Sequence, residues 1–244
     1  RAGLLGRWDF NQTLRWWVEN KWRARSIIDG GSGKEASATR TAYLNLRDMI
    51  LSGALPPGEK IKIDNLRKRL DTGASPVREA LSLLTSDMLV ERIDQRGFRA
   101  APAGPENFAE ILKLRCLLED MTLRLSIQNA TPEWEERLVL AQHHMNRATD
   151  TDAFEDAHKT FHMTLLSNAA SPMTERYCGQ LYDLNIRYRN LAASEVTYKK
   201  RDIAAEHTRI FEAAVKRDAD AASAALLSHY RLTGEYLAQH LAGL

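Results

Sequence analysis

Sulfur chemistry has little to work with in this chain: its two cysteines, Cys116 and Cys178, stand far apart, and neither belongs to a CxxC pair. That argues against a disulfide framework and against a thiolate zinc site. No apolar run approaches the length that crosses a bilayer, and no secretory pattern is present, so the expectation is a soluble cytoplasmic protein without membrane contact. Internal repeats are missing, and the only low-complexity tract is Gly30-Gly31-Ser32-Gly33. It reads as a flexible link.

What is present suffices for two modest domains. The chain has 244 residues, of which 44% are hydrophobic and 27% charged, enough for two separate cores. The net charge of +2 is uninformative until it is split along the chain. Lys and Arg against Asp and Glu number 7 versus 4 in residues 1–36, 11 versus 8 in 37–103, and 16 versus 20 in 104–244. The basic excess lies in the first hundred residues, which suits a polyanion-binding head on an acidic body.

Punctuation and period give the organisation. A helix from about Thr39 carries Ala42, Tyr43, Leu46, Met49 and Ile50 on one face and stops at Gly53, before the turn Pro56-Pro57-Gly58. A second helix starts near Asp64. A third opens at Ser75-Pro76, where Ser75 is placed to cap the first-turn amides and Pro76 has no amide to waste. Val77, Ala80, Leu81, Leu84 and Met88 then recur at helical spacing toward a core. Arg78 falls off that stripe, near a helix N-terminus that disfavours cations, so it calls for an anionic partner such as phosphate. Val90–Ile93 and Phe98–Ala101 read as a hairpin around a basic turn that includes Arg96 and Gly97. Pro102-Ala103-Gly104-Pro105 marks a boundary; beyond it, helices are expected over about 106–129, 132–149, 152–169, 172–194, 201–217 and 219–242. Short connections imply an antiparallel bundle.

The fold class expected is therefore mainly α, an N-terminal winged helix-turn-helix over 38–103 followed by an all-helical bundle over 106–242. Pro76-Val77-Arg78-Glu79-Ala80-Leu81, Leu89-Val90-Glu91-Arg92 and Arg96-Gly97-Phe98 resemble the GntR family of bacterial transcription regulators. The helical remainder resembles the FCD domain of its FadR-type subfamily. The resemblance implies a homodimer on a short palindromic DNA operator, because paired recognition helices need paired half-sites. Arg78, Arg96 and Arg99, with Lys60 or Lys62 further out, would neutralise phosphates, while Ala74, Ser75 and Gly97 let the backbone approach the groove. The family often has Arg where Ala74 stands here, a departure that removes a base-reading fork and implies a different operator.

Histidines carry the second half of the reading. His158 and His162 lie four residues apart, on one helix face. The subfamily holds a divalent metal with a D/H-x-x-F-H pattern and two later histidines. Here these are His158-Lys159-Thr160-Phe161-His162, His207 and His229. His158 replaces the more usual Asp, leaving four neutral imidazoles around zinc, or nickel or manganese, and favouring an anionic ligand. His143, His144 and His240 match nothing and read as solvated surface. HExxH peptidase chemistry fails because position 159 is Lys. The implied effector is a small organic acid, with Arg115, Arg187 and Arg189 as candidate carboxylate forks; a surface or structural salt bridge is the competing reading for each.

The reading is thus a ligand-responsive regulator, a repressor by resemblance, and not an enzyme; a metal-dependent lyase or hydrolase and a helical scaffold are the alternatives. Residues 1–36 hold Trp8, Trp16, Trp17 and Trp22. Leu14, Trp17, Val18 and Trp22 form an amphipathic face for a partner or membrane surface, or the segment is a cloning-derived or mis-started extension without stable structure.

Overall fold

The computed structural model describes residues 33–94, 96–149, 151–192 and 202–241. Among these, nine helices and three short strands follow in order: α1 (Gly33–Leu51), β1 (Lys60–Ile61), α2 (Ile63–Arg69), α3 (Ala74–Ser86), β2 (Val90–Ile93), β3 (Gly97–Ala100), α4 (Pro105–Gln128), α5 (Pro132–Arg147), α6 (Thr151–Leu166), α7 (Pro172–Ala192), α8 (Ile203–Val215) and α9 (Ala219–Leu241). The mainly helical class expected from the sequence is the one found. The tryptophan-rich leader, with its amphipathic reading, lies outside the described residues. The described residues fall into two compact units, one of residues 33–46 with Lys62–Leu83, the other of Arg47–Ile61 with the described residues from Leu84 on.

The first unit is helical. Ala42, Leu46, Leu66, Val77, Ala80 and Leu81 are buried in it, and Thr39 Oγ1 donates to Glu79 Oε2 at 2.8 Å, tying α1 to α3. The sequence reading needs correction at both ends of α3. The helix begins at Ala74, so Ser75 lies inside it and not at its cap; Pro76 still falls in the first turn, where an amide would have no intrahelical partner. At the other end Met88 is not a core residue but 54% exposed. The helix stops at Ser86, and Met88 sits at φ 59°, a left-handed reversal that throws its side chain off the stripe. Leu89 takes the buried place instead.

The second unit holds a three-stranded antiparallel sheet in the order β1-β3-β2. The hairpin pairs Val90 with Ala100 and Ile93 with Gly97. Gly97 at φ +99° supplies a conformation that a side chain would resist. Strand β1 pairs Lys60 with Arg99 and Ile61 with Phe98; two residues after a Pro-Pro-Gly turn are too few to show a period in sequence.

In the helical part of this unit, α4 packs against α6, α7 and α9, α5 against α6, and α8 against α9. Thr131 caps α5 by accepting from the Trp134 amide at 3.2 Å, with Pro132 directly after it. Trp134 is fully buried, and its Nε1 donates to the Thr164 carbonyl at 2.8 Å, fixing α5 on α6. Leu123, Leu138, Phe161, Leu165 and Leu226 complete the centre of the core. Each such burial contributes about 1.5–3 kcal/mol. No described helix is long and apolar enough to cross a membrane.

Candidate functional site

His158 and His162 project from one face of α6, His207 from the second turn of α8, and His229 from α9. Asp202 sets the start of α8 by accepting from the Ala205 amide at 2.9 Å, and so fixes the height at which His207 enters. All four imidazoles are buried, each with one ring nitrogen within 4.8 Å of the others'. His158 Nε2 lies 3.0 Å from His207 Nε2 and 3.2 Å from His162 Nε2. Two nitrogens bonded to one ion at roughly 2.0–2.1 Å stand about 2.9–3.4 Å apart, so the separations fit a shared cation. Burial, then the neighbouring imidazoles and guanidiniums, holds His158 and His162 well below the usual histidine pKa. Neutral rings keep their lone pairs for a metal.

Partners behind the rings fix which nitrogen faces inward. Tyr230 donates its hydroxyl to the Glu119 carboxylate, so its oxygen can accept from His162 Nδ1 at 3.1 Å. His229 Nδ1 lies 2.7 Å from Glu206 Oε2, and His158 Nδ1 lies 2.5 Å from the Tyr182 hydroxyl. The Glu206 and Tyr230 contacts place the proton on Nδ1 of His229 and His162 and leave the lone pair on Nε2, the arrangement by which carboxylates and hydroxyls orient metal-binding histidines. His158 Nδ1, by contrast, meets both the Tyr182 hydroxyl and the Arg189 guanidinium. Sequence reasoning missed these residues. Tyr230 and Glu206 are chain neighbours of His229 and His207, and Glu119 is one helical turn beyond Arg115, signals that were there to use; Tyr182 gave none.

A small cavity beside the histidines is lined in part by Arg115, His158, Asn185, Arg189, His229 and Thr233. At about 20 Å³ it has room for one water-sized group, so any larger ligand must displace side chains. The three candidate arginines separate here. Arg115 is buried, with Nε 2.7 Å from Glu119 Oε1 and its guanidinium 4.2 Å from the Tyr230 ring centre. Burial alone would lower its pKa, but the Glu119 carboxylate outweighs that and raises it. Arg189 places Nη1 3.2 Å from His158 Nδ1 and pairs through Nη2 with Glu155. Arg187 is not among the cavity residues; it donates to the Ala101 carbonyl. His143 and His144 are exposed, and the side chain of His240 lies outside the described residues.

The DNA candidates are accessible. On α3, Ser75 and Arg78 are exposed and Ala74 is half-buried. In the hairpin, Arg96 and Arg99 are exposed and Gly97 occupies the turn. Arg99 is already engaged, its Nε and Nη2 each 2.6 Å from Oε2 of Glu91 opposite it in the ladder. Arg92, exposed on the same hairpin, was overlooked.

Comparison with known proteins gives these geometries a family. Residues 38–99 match the bacterial regulatory proteins of the gntR family, and residues 110–232 match the FCD domain. The chain is 31% identical to the uncharacterized HTH-type transcriptional regulator BphR of Paraburkholderia xenovorans, over 84% of this chain and 91% of the relative. It is 28% identical to the HTH-type transcriptional repressor GlaR of Escherichia coli, over 82% and 96%. Among solved structures, E. coli McbR/YncC superposes with a TM-score of 0.73 at 21% identity, covering 83% of this chain and 97% of that one. The chain belongs to the gntR family of bacterial regulatory proteins, carries an FCD domain, and is a transcription regulator rather than an enzyme.

Proposed function

We propose that this regulator is a repressor that binds a palindromic operator as a homodimer and is controlled by a small carboxylate at a metal site formed by His158, His162, His207 and His229. Regulators of this family bind DNA operators, and FCD domains bind small-molecule effectors. The observation that carries the finer reading is the convergence of four buried imidazoles, each offering one nitrogen within 4.8 Å of the others. A divalent ion there, zinc foremost with nickel or manganese as alternatives, would supply a Lewis-acid anchor for a carboxylate oxygen. The four donors bring no negative charge of their own, which favours an anionic ligand. Arg189, at the cavity wall, would offer a fork to a second carboxylate oxygen by turning from Glu155 and His158, which now hold it. Arg115 adds positive potential, although Glu119 already holds it; Arg187, turned to Ala101, is left out of the effector set.

For the homodimer, support comes from α4. Leu114, Leu117, Met121 and Leu125 recur on one helix face and are 36–61% exposed, an apolar stripe that a second copy would cover. For the operator, Arg78 and Arg96 reach phosphates, while Ala74, Ser75 and Gly97 let the backbone close on the groove.

Two measurements test the reading. Metal analysis of the purified protein should show bound metal that falls in His162→Ala and His207→Ala; equal metal content in all three removes these ligands. Mobility-shift titration with duplexes from the protein's own gene neighbourhood should show salt-sensitive binding released by carboxylates. No shift with any such duplex sinks the operator assignment.

A further inference from the structure

Resting on the carboxylate reading of this cavity, we infer that Asn185 reads a hydroxyl group on the effector, which makes the effector a hydroxycarboxylate. Asn185 is 3% exposed, and its Oδ1 is buried without a hydrogen-bond partner among the described residues. An orphan buried acceptor loses its hydration without a replacement bond, so a structure that keeps one at a ligand cavity calls for a group to answer it. The position is specific. Asn185 falls three residues after Tyr182 and four before Arg189 on α7, so the three share a helix face. Its neighbours on that face both reach His158: Tyr182 through its hydroxyl at 2.5 Å, Arg189 through Nη1 at 3.2 Å. Asn185 itself lines the cavity with His158, His229 and Arg189.

The chemistry of the missing partner follows. Oδ1 needs a donor, and a plain carboxylate has none. An ammonium could donate, but it would share the cavity with a metal ion whose charge four neutral imidazoles leave uncompensated, and would be repelled. A neutral hydroxyl remains. It also answers the amide if the side chain is turned over to present Nδ2, because a hydroxyl both donates and accepts. A carboxylate oxygen answers only the second orientation.

Matched pairs differing by that one group decide the matter: lactate against propionate, and malate against succinate, titrated calorimetrically into the metal-loaded full-length protein. In each pair that binds, the hydroxy acid should bind about tenfold tighter, and Asn185→Leu should shrink that preference to within about twofold while metal content stays at the wild-type level. Hydroxy acids also chelate metals, so the collapse in the variant is what assigns the preference to Asn185. The wild-type pairs stand whether or not Asn185→Leu folds, and Asn185→Ala repeats the test with a smaller side chain. Equal affinity within each pair, or a preference that survives both substitutions, overturns the inference and leaves the carboxylate reading intact. Loss of metal in a folded Asn185 variant assigns the oxygen to the ion and overturns it too. If none of the four acids binds, the carboxylate reading itself falls and this inference with it.

Discussion

At the residue scale the centre depends as much on what stands behind the histidines as on the histidines. Glu119 accepts from both Arg115 and Tyr230, and Tyr230 in turn meets His162. Tyr230→Phe keeps the ring under Arg115 and removes the hydroxyl, so metal affinity should fall about tenfold or more in a chelator competition while the fold survives. Unchanged affinity would mean that His162 needs no help in orientation. Glu119→Ala does more damage, because it strands a buried guanidinium. Denaturant unfolding should show a loss of about 3–5 kcal/mol, and a loss below about 1 kcal/mol would show that Arg115 finds water or another partner. Arg78 makes a contrasting case, exposed on α3 and proposed to meet a DNA phosphate. Arg78→Ala should weaken binding to all duplexes alike and lower the salt slope by about one; a change confined to one base position would make it a base reader.

At the element scale, helix boundaries were legible wherever a cap or proline marked them. Thr131-Pro132 before α5 is such a signal, and Thr131→Ala should cost about 0.5–2 kcal/mol in thermal or denaturant unfolding. No loss would mean the burial of Trp134 alone sets that end. Where the chain reverses by backbone conformation instead, periodicity misled: Met88 continues the stripe of α3 on paper, yet its φ of 59° turns it out to solvent. Strand β1 was invisible because pairing with β3, and not its own two residues, makes it a strand. The histidine quartet shows both limits. His158 and His162 announce themselves by helical spacing, and the family pattern brings in His207 and His229. Asn185 and Tyr182 meet the cluster only through the packing of α7, a long-range fact with no local signature.

At the scale of the whole molecule, the proposed homodimer rests on the exposed apolar stripe of α4. Replacing Leu117 and Met121 together by Glu should shift the protein from dimer to monomer in sedimentation, with metal content unchanged. An unaltered oligomer would place the interface elsewhere. The all-nitrogen character of the centre has a wider consequence. Thiolate sites answer oxidants, since sulfur climbs to sulfenic acid or a disulfide and releases its metal; four imidazoles have no such ladder. Cys178, the thiol buried in the same bundle, has its pKa pushed up to about 12 by burial and contacts Thr122 at 3.7 Å, so almost none of it is present as the reactive thiolate. On the proposed reading, occupancy of such a centre would follow the supply of metal and acid, and a burst of peroxide would leave the signal to the promoter unchanged.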